Sequence, residues 1–199
     1  MKIIALAAAV AIAAPALAAP RVGQPAPDFA AKAASGETIR LSNFKGKTVV
    51  LEWTNKGCPY VVKHYASDNM QTLQEKAAEN GIIWLTVNSG APGKQGHVDA
   101  DGAMAEMAEY DTTQTAYLLD ADGKVGKLYN ASATPHMYIV APNGDLTYMG
   151  AIDDRPTSDQ GDIEGATNYV TAALDAMAAG DKPSPAATRA YGCSVKYGG

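Results

Sequence analysis

Cys58 ends the run Val49-Val50-Leu51-Glu52-Trp53-Thr54-Asn55-Lys56-Gly57-Cys58, in which an apolar segment passes through a short polar turn and delivers a cysteine just before Pro59. Proline suits the first helical position, where no N–H is required and φ is already near its helical value. A cysteine at a helix start faces unpaired backbone N–H groups and the positive end of the helix dipole, and both favour the thiolate. The thiolate is the nucleophile in cysteine chemistry, and the neighbouring Lys56 adds electrostatic support for it. Three residues on, where a Cys-x-x-Cys pair would carry its second sulfur, the chain has Val61.

The other cysteine is Cys193, which lies 14 residues beyond Ala179 in Tyr191-Gly192-Cys193-Ser194. Extended, such a segment reaches about 45 Å, comparable with a domain diameter of about 40 Å, so folding back onto Cys58 is within its length. Three roles stay open for Cys193: resolving partner of Cys58, structural staple, or mixed disulfide with another protein. As a staple it would close a long loop and stabilise by roughly 5 kcal/mol in the chain-entropy model. Glu52 is the second candidate, a carboxylate inside an apolar run. Burial would raise its pKa and equip it to hold or pass a proton; the alternative is a side chain turned from the sheet face into a polar loop. His64 follows Cys58 by six residues, which turns it away from the thiol on a regular helix, and His136 follows Pro135. Near Cys58, His136 would suggest a Cys/His metal site similar to that of exported copper chaperones; those proteins use two closely spaced cysteines and this chain lacks the second, so neither metal nor cofactor is expected.

These residues need a scaffold, and hydrophobic periodicity supplies one. Glu37–Leu41 alternates as a short edge strand, whereas Thr48–Thr54 and Ile82–Val87 are continuous apolar runs of the kind covered on both faces. After Cys58, Val62, Tyr65, Ala66, Met70, Leu73 and Ala77 recur at helical spacing, with Ser67-Asp68-Asn69 kinking or restarting the helix and Gly81 ending it. Asp99–Tyr110 reads as a helix, Thr115–Leu119 as a strand and Val125–Tyr129 as one or two helical turns. His136–Val140 and Leu146–Met149 flank Asn143-Gly144, a hairpin signal, and Asp162–Ala179 reads as a final helix. Alternating strands and helices predict an α/β fold with a mixed sheet covered on both sides.

Composition fixes the setting. Lys2, the apolar stretch Ile3–Ala14 and the small residues Ala16-Leu17-Ala18 read as a signal peptide over 1–18, too short at its core to span a bilayer. The expectation is a periplasmic or secreted protein with no membrane attachment after cleavage. Without Lys2, 15 basic residues face 21 acidic ones, a net charge of −6, which disfavours nucleic acid as a partner. Export also places both cysteines where disulfides persist. The expected organisation is a signal peptide, one domain over 19–180, and a flexible tail over 181–199 carrying Cys193.

The strand-turn-Cys58-Pro59 helix start, the step Ala133-Thr134-Pro135 before a strand, and the hairpin that follows together resemble the redoxin group of the thioredoxin-like fold, which holds the alkyl hydroperoxide reductase/thiol-specific antioxidant proteins and exported thioredoxins. The resemblance covers roughly Val22–Ala179. It implies a central mixed sheet flanked by helices with an antiparallel C-terminal hairpin, a cis Pro135 facing the thiol, and Thr134 and Pro135 as substrate-positioning residues beside Lys56. It also matches Glu52 to the buried acid beneath the sulfurs of thioredoxins. Two departures stand out. Peroxiredoxins carry Pro-x-x-x-Thr-x-x-Cys, and here Leu51 and Asn55 occupy the proline and threonine positions. Thioredoxins carry two sulfurs where Cys58-Pro59-Tyr60-Val61 has one. The resemblance therefore implies an exported thiol-disulfide oxidoreductase or thiol-dependent antioxidant. Cys58 is its nucleophile, resolved by Cys193 or an external thiol, and its substrates are protein disulfides, small thiols or peroxides. The alternative is a non-catalytic module that binds a peptide or a partner's thiol.

Overall fold

The computed structural model describes residues 19–198. The signal-peptide expectation for 1–18 falls outside the described residues. Chain order runs β1 (Ala30–Ala33), β2 (Thr38–Arg40), β3 (Val49–Trp53), α1 (Pro59–Tyr65), α2 (Asn69–Glu79), β4 (Ile83–Asn88), α3 (Ala100–Glu109), β5 (Ala116–Leu119), α4 (Lys124–Leu128), β6 (Ala133–Thr134), β7 (His136–Val140), β8 (Leu146–Gly150), α5 (Tyr169–Ala178) and β9 (Cys193–Ser194). Seven strands form one sheet in the order β2-β1-β5-β4-β3-β7-β8, and β6 with β9 form a separate two-stranded ribbon. β3 pairs parallel with β4, and β4 with β5, while β7 runs antiparallel to β3 and β8 to β7. This is the expected mixed sheet with an antiparallel C-terminal hairpin, and the fold is thioredoxin-like.

β3, β4 and β7 are buried at every position. Their near-continuous apolar sequences follow from burial on both faces. On one face Leu51, Trp53, Leu85, Val87, Leu118, Tyr129 and Tyr138 form a core with β1, β2 and α4. On the other, Val50, Trp84, Met137 and Ile139 pack with Cys58, Val61, Tyr65, Met70 and Val170 from α1, α2 and α5. Side-chain alternation therefore assigns Glu52 to the face covered by α1 and α2, and His136 to the opposite face with Tyr138.

α1 and α2 are two helices divided by Asp68, whose φ of 56° interrupts the helical run where Ser67-Asp68-Asn69 predicted a break. Three elements depart from the sequence reading. β1 joins β2 to β5, although Ala-Ala-Lys-Ala carries little strand preference. The expected helix over 162–179 is instead a single 3-10 turn at Gln160–Ile163, a break around Gly165, and α5 capped by the Asn168 side chain on Thr171 N–H at 2.9 Å.

The third departure is the tail. Residues 181–198 were expected to be flexible and are instead laid across the domain. Thr188 N–H donates to Met149 O at 3.0 Å, and Ala91 N–H to Lys196 O at 2.8 Å. The Thr188 hydroxyl accepts from Ala151 N–H at 2.9 Å, and Tyr197 donates to Ala131 O at 2.7 Å. Two glycines make room: a Cβ at Gly150 would meet Thr188 Oγ1 at 2.2 Å, and one at Gly126 would meet Tyr197 Oη at 2.4 Å. Backbone pairing and these side-chain hydrogen bonds offset the entropy of ordering this strap. Among the described residues no helix is long and apolar enough to cross a membrane.

Candidate active site

The turn Asn55–Gly57 sets Cys58 at the N-cap of α1. Cys58 N–H donates to Asn55 O, and Cys58 O accepts from the N–H groups of Val61 and Val62, each at 2.9 Å. Gly57 lies tight against the Gln95 side chain, whose amide a Cβ there would meet at 2.0 Å and displace. Pro59 opens the helix, as its position predicted. The peptide bond between Thr134 and Pro135 is cis, and it turns the Thr134 carbonyl toward the thiol, with Cys58 Sγ donating to Thr134 O at 3.1 Å.

β6 and β9 complete the site. Their antiparallel register sets Cys193 opposite Thr134, so the strap carries the second thiol to the first. The Cys193 side chain packs on the cluster that contains Cys58. Both cysteines are free thiols, Cys58 fully buried and Cys193 partly exposed. Gly192 permits this approach: its φ is +124°, and a Cβ there would meet Thr134 O at 2.0 Å.

The two thiols differ in acidity. Burial pushes Cys58 up, but donors from the Cys193 thiol, the Thr134 hydroxyl, and the backbone N–H groups of Cys193 and Val61 together outweigh it, so the thiol lies below its ordinary value. Cys193 is pushed up to about 11 by burial and by hydrogen bonding and charge repulsion from Cys58. The pair titrates as a coupled unit whose first proton leaves from Cys58. The Val61 N–H among these donors belongs to the main chain and would be supplied by any residue there other than proline.

The remaining expected site residues divide. Thr134 stands at the thiol, and Pro135 follows it across the cis bond. Glu52 is fully buried and accepts from Tyr65 Oη at 2.7 Å, Trp84 Nε1 at 2.8 Å, Thr86 Oγ1 at 3.1 Å and Gln74 Nε2 at 3.5 Å. Burial raises its pKa against these four donors. Those contacts hold Glu52 among β4, α1 and α2, with no direct bond to either sulfur. Lys56 is engaged elsewhere, ion-paired with Glu109 and 5.7 Å from the centre of the Tyr110 ring. Thr54 is buried and its hydroxyl has no hydrogen-bond partner. Among the described residues no three of His, Cys, Asp and Glu converge as a metal-binding set.

A buried cluster ties α1 to the strap, and of its members only His64 was marked in the sequence. Lys63 and His64 on α1 are buried against Asp153, with Lys63 Nζ 3.5 Å and His64 Nε2 3.9 Å from Asp153 Oδ2. Lys63 also donates to Arg155 O at 2.9 Å. Tyr191 donates to Asp153 Oδ1, and its ring packs edge-on against Tyr60 at 5.9 Å. This arrangement pins the strap two residues before Cys193. Asp153 and Tyr191 lie far apart in the chain, and a lone acidic residue and a tail tyrosine give no pattern to read.

Residues 22–149 match the AhpC/TSA family, well over half of the chain. The chain belongs to that family. Among relatives of this redoxin, the thiol-disulfide oxidoreductase ResA of Bacillus subtilis is 25% identical over 126 residues, which is 58% of this chain and 70% of that protein. A hypothetical protein of Sinorhizobium meliloti superimposes with a TM-score of 0.76 at 24% identity, covering 91% of this chain and 97% of its own. A secreted Mycobacterium tuberculosis disulfide oxidoreductase gives a TM-score of 0.50 at 22% identity over 69% of this chain and 92% of its own. These superpositions show the thioredoxin-like fold. The family is of the redoxin type, and the relative ResA is a thiol-disulfide oxidoreductase.

Proposed function

We propose that the chain is an exported thiol-disulfide oxidoreductase in which Cys58 and Cys193 form the working couple. The β6–β9 register, which sets Cys193 against Thr134 beside Cys58, is the observation that carries this reading. The Cys58 thiolate attacks one sulfur of a substrate disulfide, forming a mixed disulfide and releasing the other sulfur as a thiolate, which takes up a proton. Cys193 then loses its proton and attacks Cys58 Sγ. The Cys58–Cys193 bond forms, the substrate leaves as its second thiol, and two electrons have passed to the substrate. An external thiol reductant resets the couple by the reverse exchange. Thr134 and Pro135 line the approach and Glu52 serves as a buried proton acceptor behind α1.

Burial of Cys58 adds a condition. A substrate reaches the sulfur only when the strap around Gly192 and Cys193 lifts. Such lifting is also what delivers Cys193 to the mixed disulfide as the strap returns. Export is supported by the N-terminal sequence and by the secreted relative.

Single-turnover trapping tests the assignment. Cys193→Ser should accumulate a mixed disulfide on Cys58 with an aromatic disulfide reagent, visible by peptide mass spectrometry, while the wild type proceeds to Cys58–Cys193. Wild-type turnover by Cys58→Ser, or an unchanged rate in Cys193→Ser without external thiol, would overturn it. Loss of all turnover in both proteins, with the fold intact, would favour the non-catalytic binding module.

A further inference from the structure

Behind the β6–β9 ribbon, on the side away from the thiols, the strap roofs an open cavity of about 820 Å³. The size falls in the range of small-molecule sites. Strand alternation explains its position. Cys193 points toward Cys58, while its neighbours Gly192 and Ser194 line the cavity. Its floor is sealed by Tyr129 and Tyr138, whose hydroxyls are spent inside the protein on Pro27 O at 2.7 Å and Tyr129 O at 2.9 Å. Both rings are buried, so they back the cavity with apolar bulk and offer it no free hydroxyl. Met149, Pro156 and the partly exposed Tyr191 ring extend that apolar wall.

Two donors at this cavity, one on His136 and one on Arg189, lack acceptors among the described residues. His136 is 8% exposed and lines the cavity. Its Nδ1 accepts from Ser132 N–H at 3.4 Å and lies 3.3 Å from Tyr138 Oη. A backbone N–H can only donate, so Nδ1 is the acceptor and the ring proton sits on Nε2. Burial pulls His136 down to about 4, so this donor is neutral at physiological pH. No side chain or carbonyl among the described residues accepts from it. Arg189, exposed at the rim, enters no ion pair among the described residues. No aspartate or glutamate lines the cavity, in a chain with 21 acidic residues.

A neutral buried donor, an unpaired guanidinium and an apolar wall without acidic neighbours are the complement of an anion with a hydrophobic body. We propose that this cavity binds a small organic monocarboxylate, its carboxylate taken by Arg189 and the His136 Nε2–H and its apolar part held against Tyr191, Met149 and Pro156. The site is separate from the thiol couple, and binding there does not depend on the redox chemistry proposed above. One arginine and one neutral imidazole favour a singly charged carboxylate over a polyanion, because the charge to be neutralised is one.

Sodium benzoate titrated into the reduced protein, followed by calorimetry and by amide chemical shifts, tests the proposal. The expected result is saturable one-to-one binding with shifts concentrated in 132–138 and 188–194. Acetate, which lacks the apolar body, and benzamide, which lacks the charge, should each bind about tenfold or more weakly. Arg189→Gln alters an exposed side chain and leaves the fold intact; it should weaken benzoate by about tenfold and leave benzamide unchanged. Absence of saturation up to about 10 mM benzoate, equal binding of benzamide, or equal affinity in Arg189→Gln would each overturn it.

Discussion

Gly192→Ala changes one hydrogen into a methyl group and should open the active site. Gly192 has φ +124°, a region that costs a non-glycine residue about 1–3 kcal/mol, and the new Cβ would sit 2.0 Å from Thr134 O. That oxygen belongs to the backbone of β6 and cannot rotate away as a side chain could. The relief available is for β9 to part from β6, a ribbon of two residue pairs. Taking about 2 kcal/mol as the shift, the open form gains roughly 30-fold in population. Cys58 is fully buried when the strap is closed, so iodoacetamide reaches it only from the open form. Its alkylation rate at fixed pH should therefore rise by roughly 30-fold, read by mass spectrometry of the Cys58 peptide. Closure of the Cys58–Cys193 disulfide against glutathione should weaken by the same factor, since both report one equilibrium. An unchanged alkylation rate in a folded variant, or a rate change without the matching loss of disulfide stability, would refute the reasoning.

Other perturbations test the surrounding groups. Lys63→Met strands the Asp153 carboxylate in a buried site and should destabilise by about 3–5 kcal/mol in urea unfolding, whereas Lys63→Met with Asp153→Leu should recover much of that loss. Glu52→Gln places an amide N–H₂ among donors from Tyr65, Trp84, Thr86 and Gln74 and should cost about 1–3 kcal/mol by the same measurement. His136 is held down near 4 from an ordinary 6.5, so on acidification the unfolded chain takes up its proton first and folded-state stability falls between pH 6.5 and 4. His136→Asn should lose roughly 3 kcal/mol less than the wild type across that window, measured as the difference in unfolding free energy at its two ends. Glu106 has the opposite sign: burial raises it to about 7, so its contribution is present below pH 4.5 and lost as pH rises toward 7. Glu106→Gln should remove that loss.

Residues close in sequence made Cys58 legible as the candidate nucleophile. Cys58, the turn before it and Pro59 form one local pattern, and the structure sets that thiol at the N-cap as the pattern demanded. The break at Ser67-Asp68-Asn69 and the Asn143-Gly144 hairpin were readable for the same reason, because turn chemistry is local. Burial of Glu52 was one of two readings that its place in an apolar run left open, and nothing in the sequence named its four donors. They come from α1, α2 and β4, which only the assembled sheet brings together. The strap was the largest miss. Residues 181–198 carry little hydrophobic periodicity, and what orders them is a set of separate anchors at Thr188, Tyr191, Gly192, Cys193 and Tyr197, each partnered with a residue at least 37 positions away. Such ordering leaves no periodic trace in the sequence.

In the proposed couple the two sulfurs are separated by a whole domain, which gives it an unusual dependence. In a Cys-x-x-Cys pair one helical turn fixes how readily the sulfurs meet. Here that readiness is set by how well a strap stays seated on Gly126, Gly150 and the Lys63–Asp153 pair. Any free energy that loosens the seating is subtracted from the stability of the disulfide, and for a two-electron couple 1.4 kcal/mol corresponds to about 30 mV. The midpoint potential of such a couple is thus a reporter of tertiary structure, adjustable from positions such as Gly126 and Tyr197 that touch neither sulfur.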